Sequence, residues 1–163
     1  MEQNERLIER LDQGRRALQG MMIGLDRNME ICPGWTIKEV LAHIAGWDEV
    51  ATGALRAHAA GDVPKALDPP GIDDYNDVVV RRCKALSCDE VIQYWRRARR
   101  ELKDTLIELP SERLNEPLLY PWGERGNAAR IVAILAEHEK EHADEIRELG
   151  RRDTGDIEEE DEF

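Results

Sequence analysis

The chain has few of the features that mark secreted or membrane proteins. Its three cysteines form no CxxC pair and are odd in number, which predicts neither a disulfide framework nor a zinc–thiolate site. No apolar run approaches the length of a membrane span, and mean hydropathy is −0.61. The first residues, MEQNERLIERL, are charged where a signal peptide is apolar. These absences predict a soluble, cytoplasmic protein with reduced cysteines and no membrane partner.

Proline and strand patterns are also scarce. The chain has seven prolines in 163 residues, and three of them lie in the segment DVPKALDPPGIDD. No alternating strand pattern of useful length appears, and no internal repeat is visible, whereas apolar residues recur at helical spacing over four long segments. The sequence therefore predicts an all-α four-helix bundle, with a long irregular connection at about residues 61–73 crossing between helices 2 and 3.

Capping signals place the helices along the chain. The first helix is predicted over about 5–27, and Thr36 begins the second with a Thr-x-x-Glu capping box. A short helix is predicted over 75–84. Ser87 begins the third long helix with a second capping box, and the fourth covers roughly 127–149.

Charge is distributed unevenly. The net charge is −12, but residues 153–163 carry seven acids and no base, which leaves 28 acids against 23 bases in the rest of the chain. The RRARR run at 96–100 lies in a helix that also carries acids, which is more typical of a solvated helix face than of a nucleic-acid site. The sequence predicts a bundle domain over 1–150, a disordered acidic tail over 151–163 and no nucleic-acid partner.

Histidines occupy the apolar stripes of two helices. His138 and His142 are one turn apart in the last helix, and His43 lies in the stripe of the second helix. Three neutral imidazoles can hold one divalent metal ion with open positions, as in catalytic sites that activate water or polarise a substrate. The alternative is that each histidine is a hydrogen-bonded core residue. We favour the metal site, and we expect His58 on the surface.

The segment HEKEH matches the H-E-x-x-H pattern of zinc proteases, in which Glu139 would be the general base. The match is weak evidence of a protease because no downstream extension supplies a third histidine. Glu139 is about 60° from His142 around the helix, within reach of a metal-bound water, and is a weak candidate for a base or a residue that supports a ligand, but an exposed, solubilising role is the one expected for it. Glu145 projects closer to the histidine stripe and is the better candidate for a base or for a residue that supports a ligand.

Aromatic residues suggest a pocket. Tyr120 and Trp122 lie in the loop LYPWGERGN, which precedes the last helix, and Trp47 lies in the stripe of helix 2. Tryptophans in such positions usually pack in the core or at its rim, but a loop of this composition can also wall a cavity. We therefore expect Trp47, Tyr120 and Trp122 to line a substrate pocket.

Three segments together resemble a known family. PGWTIKEVLAHIAGWDE at 33–49, YPWGERG at 120–126 and AEHEKEHADEI at 136–146 are similar to the DinB-like (DinB/YfiT-type) superfamily of four-helix-bundle proteins. The likeness covers about residues 1–150 and, with the segment around Tyr75-Asn76, is greatest to the DfsB and colibactin self-resistance branch. The resemblance implies a metal site at the positions of His43, His138 and His142. Members include thiol-dependent S-transferases and isomerases, hydrolases and resistance proteins.

The function expected from these features is a metal-dependent enzyme acting on an electrophilic small molecule. Zinc, nickel or iron would be the cofactor, and the reaction would be hydrolysis or transfer of a low-molecular-weight thiol, in detoxification or stress response. The alternative is a non-catalytic small-molecule-binding or resistance bundle without a physiological metal. An exposed apolar helix face would favour a homodimer. A stoichiometric, tightly bound metal would distinguish the two functions.

Overall fold

Helices make up most of the protein. A computed structural model describes residues 2–160, with side chains described through residue 152. Its four long helices and one short helix confirm the predicted all-α bundle. The elements are α1 Gln3–Met22, α2 Ile37–Ala59, α3 Ile72–Arg82, α4 Cys88–Glu108, a 3-10 turn over Ser111–Asn115, β1 Leu118–Leu119, β2 Arg125–Gly126 and α5 Ala128–Glu160.

The helices begin where the capping signals predicted. Thr36 and Glu39 form the reciprocal capping box of α2, and the Ser87 hydroxyl accepts a hydrogen bond from the backbone N–H of Glu90 at the start of α4. α1 ends at Met22, earlier than predicted, and Gly24 just beyond it has a φ of +74°. Glycine adopts that left-handed conformation without the steric cost that other residues carry, so the chain turns away from the helix there.

The packing order of the helices determines which side chains meet. α1 packs mainly against α5, and α2 mainly against α4, while α2 and α5 share a smaller contact. α3 follows the long connection from α2 and lies on α2, where Gly46 lets Val79 approach closely. A Cβ atom at Gly46 would lie 2.7 Å from the Val79 side chain. The close approach brings residues of α3 next to those of α2 on the same side of the bundle.

A small hairpin connects α4 to α5, and the sequence did not predict it. β1 and β2 are antiparallel and two residues each, too short to show an alternating pattern. Gly123 takes a φ of +98° in the turn. The Tyr120 hydroxyl packs against Gly126, which leaves no room for a side chain there, and exchanges hydrogen bonds with the backbone of Asn127. These requirements account for the glycines of the YPWGERG segment.

The last helix is longer than predicted. α5 continues to Glu160, whereas the sequence predicted a helix end near 149 and disorder beyond it. The physical reason is that Gly150 costs a helix only about 1 kcal/mol and no proline follows it. Residues 161–163 lie outside the described residues, and the division into a domain and a separate tail stays a prediction. Across residues 2–160, no helix combines the length and apolarity needed to cross a membrane.

Candidate metal centre

Three histidine side chains meet between α2 and α5. The Nε2 atom of His138 lies 3.0 Å from Nε2 of His43 and 3.0 Å from Nε2 of His142. One ligand atom from each residue lies within 4.8 Å of the others. The i, i+4 spacing places His138 and His142 on one face of α5, and the contact with α2 adds His43. The structure therefore brings together the three residues predicted as metal ligands.

Two hydrogen bonds determine which nitrogen of His43 carries hydrogen. The Oδ1 atom of Asn76 accepts a hydrogen bond of 2.7 Å from the indole N–H of Trp47 and lies 3.0 Å from Nδ1 of His43. An indole nitrogen can only donate, so the Asn76 atom facing both residues is the oxygen. His43 must then donate from Nδ1. Its Nε2 atom, when the ring is neutral, presents a lone pair to the other histidines.

A carboxylate determines in the same way which nitrogen of His142 carries hydrogen. Oε2 of Glu145 lies 3.1 Å from Nδ1 of His142, one helical turn away on α5. The carboxylate accepts a hydrogen bond from Nδ1, which leaves the lone pair of a neutral His142 on Nε2. Glu145 is half-exposed and contacts His142 from outside the cluster, and its role as a base or as a residue that supports a ligand stays a prediction. Carboxylate and amide oxygens behind histidines are the usual second partners of metal ligands.

The inner nitrogens fit a cation better than they fit each other. Nε2 of His43 and Nε2 of His142 both direct a lone pair at Nε2 of His138, which carries at most one hydrogen when neutral. At least one of the two 3.0 Å contacts is then between lone pairs, which repel. An ion bonded at about 2.0–2.1 Å would satisfy all three nitrogens. The donor chemistry of the site therefore suits a divalent metal.

Burial keeps the imidazoles of His43 and His138 neutral. Burial, assisted by repulsion from His138 and His142, lowers the pKa of His43 from 6.5 to about 3. Burial and the neighbouring His142 lower the pKa of His138 from 6.5 to about 4. Neutral imidazole is the form that binds metals, so the ligands need not lose a proton at neutral pH.

His43 and His138 form the floor of an apolar cavity of about 430 Å³, a volume typical of small-molecule sites. Trp47 and Trp122 line it, and their rings pack edge to face with centroids 5.7 Å apart. Tyr120 does not line it, contrary to the prediction, because its ring is buried against Trp122 and its hydroxyl is bonded to Asn127. The lining residues are His43, Trp47, Ile72, Asn76, Trp122, Glu124, Ile131, Ile134, Leu135 and His138.

Glu139 is not an exposed glutamate, as the sequence predicted, but fully buried. Its Oε1 atom accepts a hydrogen bond of 2.7 Å from Nε of Arg15 and one of 3.1 Å from the indole of Trp95. Its Oε2 atom lies 2.7 Å from Nη1 of Arg99. The Glu139 carboxylate contacts these three partners and not the histidines. The H-E-x-x-H pattern therefore does not supply a general base here.

Glu139 belongs to a network with one charged residue from each long helix: Arg15, Asp48, Arg99 and Glu139. Arg99 donates from Nε and Nη2 to the two oxygens of Asp48, at 2.9 and 3.1 Å. Burial lowers the pKa of Arg15, whose guanidinium stacks 3.8 Å from the Trp95 ring centre. Along every long helix the charged residue lies between the two apolar clusters of the core. The network is therefore a polar layer in mid-bundle.

Two further expectations were wrong. Arg99 was assigned to a solvated face with the rest of RRARR, but it is 3% exposed because the two carboxylates of the network pair with it. His58 was expected on the surface but is buried, with Nε2 2.9 Å from the backbone oxygen of Arg113. In both cases the partner comes from a distant part of the chain. Asn76 was noted only as part of a resemblance, and no local pattern marks it as a partner of His43.

A helical bundle with a histidine cluster under an apolar cavity defines the class of protein. Within that class, the chain belongs to the family described as the mycothiol maleylpyruvate isomerase N-terminal domain, which matches residues 5–144. This assignment confirms the resemblance to the DinB-like superfamily. No curated protein matches the chain in sequence.

Several solved structures share the fold. A mycothiol-dependent maleylpyruvate isomerase has a TM-score of 0.72 at 14% identity over 88% of this chain and 60% of its own length. DfsB, a sibling lethal factor precursor, has a TM-score of 0.73 at 22% identity over 92% and 96%. The colibactin self-resistance protein ClbS, in complex with double-stranded DNA, has a TM-score of 0.72 at 12% identity over 91% and 95%. The chain thus spans about three fifths of the isomerase and nearly all of the other two.

Proposed function

We propose that this protein is a metal-dependent enzyme that acts on an electrophilic small molecule, as a hydrolase or a thiol-dependent transferase. The observation that carries the proposal is the convergence of three imidazole nitrogens beside the apolar cavity, which His43 and His138 line. Hydrogen bonds to Asn76 and Glu145 orient two of the rings so that their free lone pairs point inward. A packing cluster would not require this arrangement.

Each residue of the site has a distinct task in the proposal. His43, His138 and His142 hold a divalent ion, which with open positions supplies a Lewis acid and lowers the pKa of water or a thiol. Trp47 and Trp122 exclude bulk water from one wall of the cavity, which strengthens electrostatic interactions inside it. Glu145 orients His142, and its half-exposed carboxylate can also pass a proton to solvent. The identity of the metal among zinc, nickel and iron stays open.

Two of the similar proteins support a thiol as the nucleophile and a reactive electrophile as the substrate. The isomerase is mycothiol-dependent by description, which supports a low-molecular-weight thiol as the nucleophile here. ClbS is a self-resistance protein, which supports a role in detoxification or stress response. A non-catalytic bundle that binds a small molecule without a metal is the alternative function. The 430 Å³ cavity would serve that function as well, so metal content distinguishes the two.

A nucleic-acid partner is not part of the proposal. ClbS was solved with double-stranded DNA, but its likeness to this chain is one of fold. The burial of Arg99 removes one cation from the RRARR run, which weakens that run as a phosphate-binding surface. The homodimer and the cytoplasmic location stay predictions.

Elemental analysis of protein purified without a histidine tag tests the metal. We expect about one divalent ion per chain in the wild type and none in a His138→Ala, His142→Ala double variant. A Lys140→Ala, Glu141→Ala double variant is the matched control, because these exposed residues lie between the two histidines. Equal metal content in the wild type and the histidine variant would reject the proposal. Metal-loaded protein should then accelerate thiol addition to a simple electrophile, and the histidine variant should not.

A further inference from the structure

The cavity above the histidines has a single carboxylate and no lysine or arginine in its lining. Glu124, in the hairpin turn, is the acidic residue. Arg125 and Arg130 are close to it in the sequence and are exposed, as Glu124 is, but neither lines the cavity. The other lining residues, apart from Asn76 and the histidines, are aliphatic or tryptophan. A ligand in this cavity therefore meets an apolar wall and one negative charge.

The mouth of the cavity carries apolar side chains that the protein does not cover. Ile72 is 47% exposed and Ile134 is 41% exposed, and both line the cavity. They come from α3 and α5, on either side of the opening. Covering exposed apolar surface gains roughly 25 cal/mol per Å². An apolar ligand body lying between them would gain this contribution, whereas a charged one would lose hydration without a partner.

Some polar atoms at the floor of the cavity already have hydrogen-bond partners within the protein. Oδ1 of Asn76 receives hydrogen bonds from Trp47 and His43, so it has little capacity left for a ligand. The amide Nδ2 of Asn76 is a hydrogen-bond donor, and it lies beside the imidazole cluster among the lining residues. The cavity thus offers polar attachment at the histidines and the neighbouring Asn76 amide and one acidic residue at the hairpin, with apolar surface between them.

We propose that the substrate has one polar group directed to the histidines, an apolar body, and an uncharged or cationic group at the end next to Glu124. This inference rests on the proposed function and specifies its substrate class. A dicarboxylate is disfavoured because its second carboxylate would lie beside the exposed Glu124 carboxylate, where like charge opposes binding. Maleylpyruvate, named for the similar isomerase, is a dicarboxylate. The two proteins therefore share a fold but differ in substrate class.

Three hydroxamic acids with the same six-carbon chain test this selectivity on the zinc-loaded, full-length protein. Their chains end in a methyl, an ammonium or a carboxylate group, and binding is measured by calorimetry after the zinc content has been determined. We expect the carboxylate-ended probe to bind at least ~10-fold more weakly than the other two. In Glu124→Gln, the advantage of the ammonium over the methyl probe should disappear. Glu137→Gln, an exposed change outside the cavity, should leave the ranking unchanged.

The same ranking is measured without metal, with hexanol, hexylammonium and hexanoate on metal-free protein by ligand-observed nuclear magnetic resonance. Weakest binding of hexanoate supports the inference even if the protein binds no zinc, in which case only the proposed function fails. Equal binding of the three zinc-directed probes, or no effect of Glu124→Gln, overturns the inference and leaves the metal site intact. Failure of every probe to bind to zinc-loaded protein also overturns it.

Discussion

The bundle contains two buried polar clusters that differ in how their atoms are satisfied. In the mid-bundle network, the charges of Arg99 and Glu139 each face an opposite charge within hydrogen-bond distance. In the histidine cluster, the outer nitrogens of His43 and His142 have protein partners, but the inner nitrogens face one another. The ion pairs of the network hold the helices together, although Nη2 of Arg15 is buried without a hydrogen-bond partner among the described residues. In the histidine cluster only the outer nitrogens have hydrogen-bond partners outside the cluster, so the inner nitrogens are arranged to bind a cation at the centre.

The largest expected effect is on stability, and it concerns the network. Arg99→Met should lower the free energy of unfolding by about 3–5 kcal/mol, because it leaves the buried carboxylates of Asp48 and Glu139 without their shared partner. Arg96→Met, an exposed change in the same run, should stay within about 0.5 kcal/mol. Urea unfolding measures both. A loss below about 1 kcal/mol for Arg99→Met would mean that the network does not hold the helices together.

The second prediction concerns the outer partner of His43. Asn76→Leu should weaken metal binding by about 10–100-fold, because it removes the oxygen that holds Nδ1 of His43. Asn76→Asp keeps an acceptor at that position and should retain affinity. Competition with a chelator of known affinity measures the change. Equal affinity in the leucine variant and the wild type would show that the outer hydrogen bond does not orient the ligand.

The third prediction is the response of the metal-free protein to acid. The lowered pKa values of His43 and His138, about 3 and about 4 against 6.5 in the unfolded chain, mean that the unfolded state binds more protons below pH 6.5. Stability is therefore complete above about pH 6.5 and is lost as pH falls towards 4, by about 1–2 kcal/mol between pH 6.5 and 5.5.

Urea unfolding at several pH values follows this acid response. A His43→Phe, His138→Phe variant lacks both groups and is the control, because its stability should change less over the same range. A wild-type protein that is equally stable at pH 6.5 and 5.0 would contradict the neutral, buried state of the imidazoles.

The smallest expected effect is at the end of α5, beyond the residues of both clusters. Deleting residues 153–163 should change the thermal midpoint by less than about 2 °C, since the charge density of this segment opposes its burial. The far-ultraviolet circular dichroism signal should fall only in proportion to the helix removed. A drop of several degrees would mean that the segment docks on the body of the bundle.

Helix positions were predictable because they depend on local information. Periodicity and the capping residues Thr36 and Ser87 located α2 and α4 closely, and the i, i+4 spacing put His138 and His142 on one face. Glu139 was placed wrongly because an unpaired glutamate strongly prefers solvent, and only a partner on another helix changes that preference. The hairpin was missed because strands of two residues carry no periodic signal.

The sequence alone determined the all-α architecture, the long crossover and the inward face of His43, His138 and His142, since these follow from the spacing of apolar residues and from the caps. Tertiary structure decided which inward residues meet. Contacts across the bundle pair Glu139 with Arg15 and Arg99, and the docking of α3 on α2 brings Asn76 to His43. The physical reason is that periodicity specifies the direction of a side chain, whereas its partner depends on how separate helices pack.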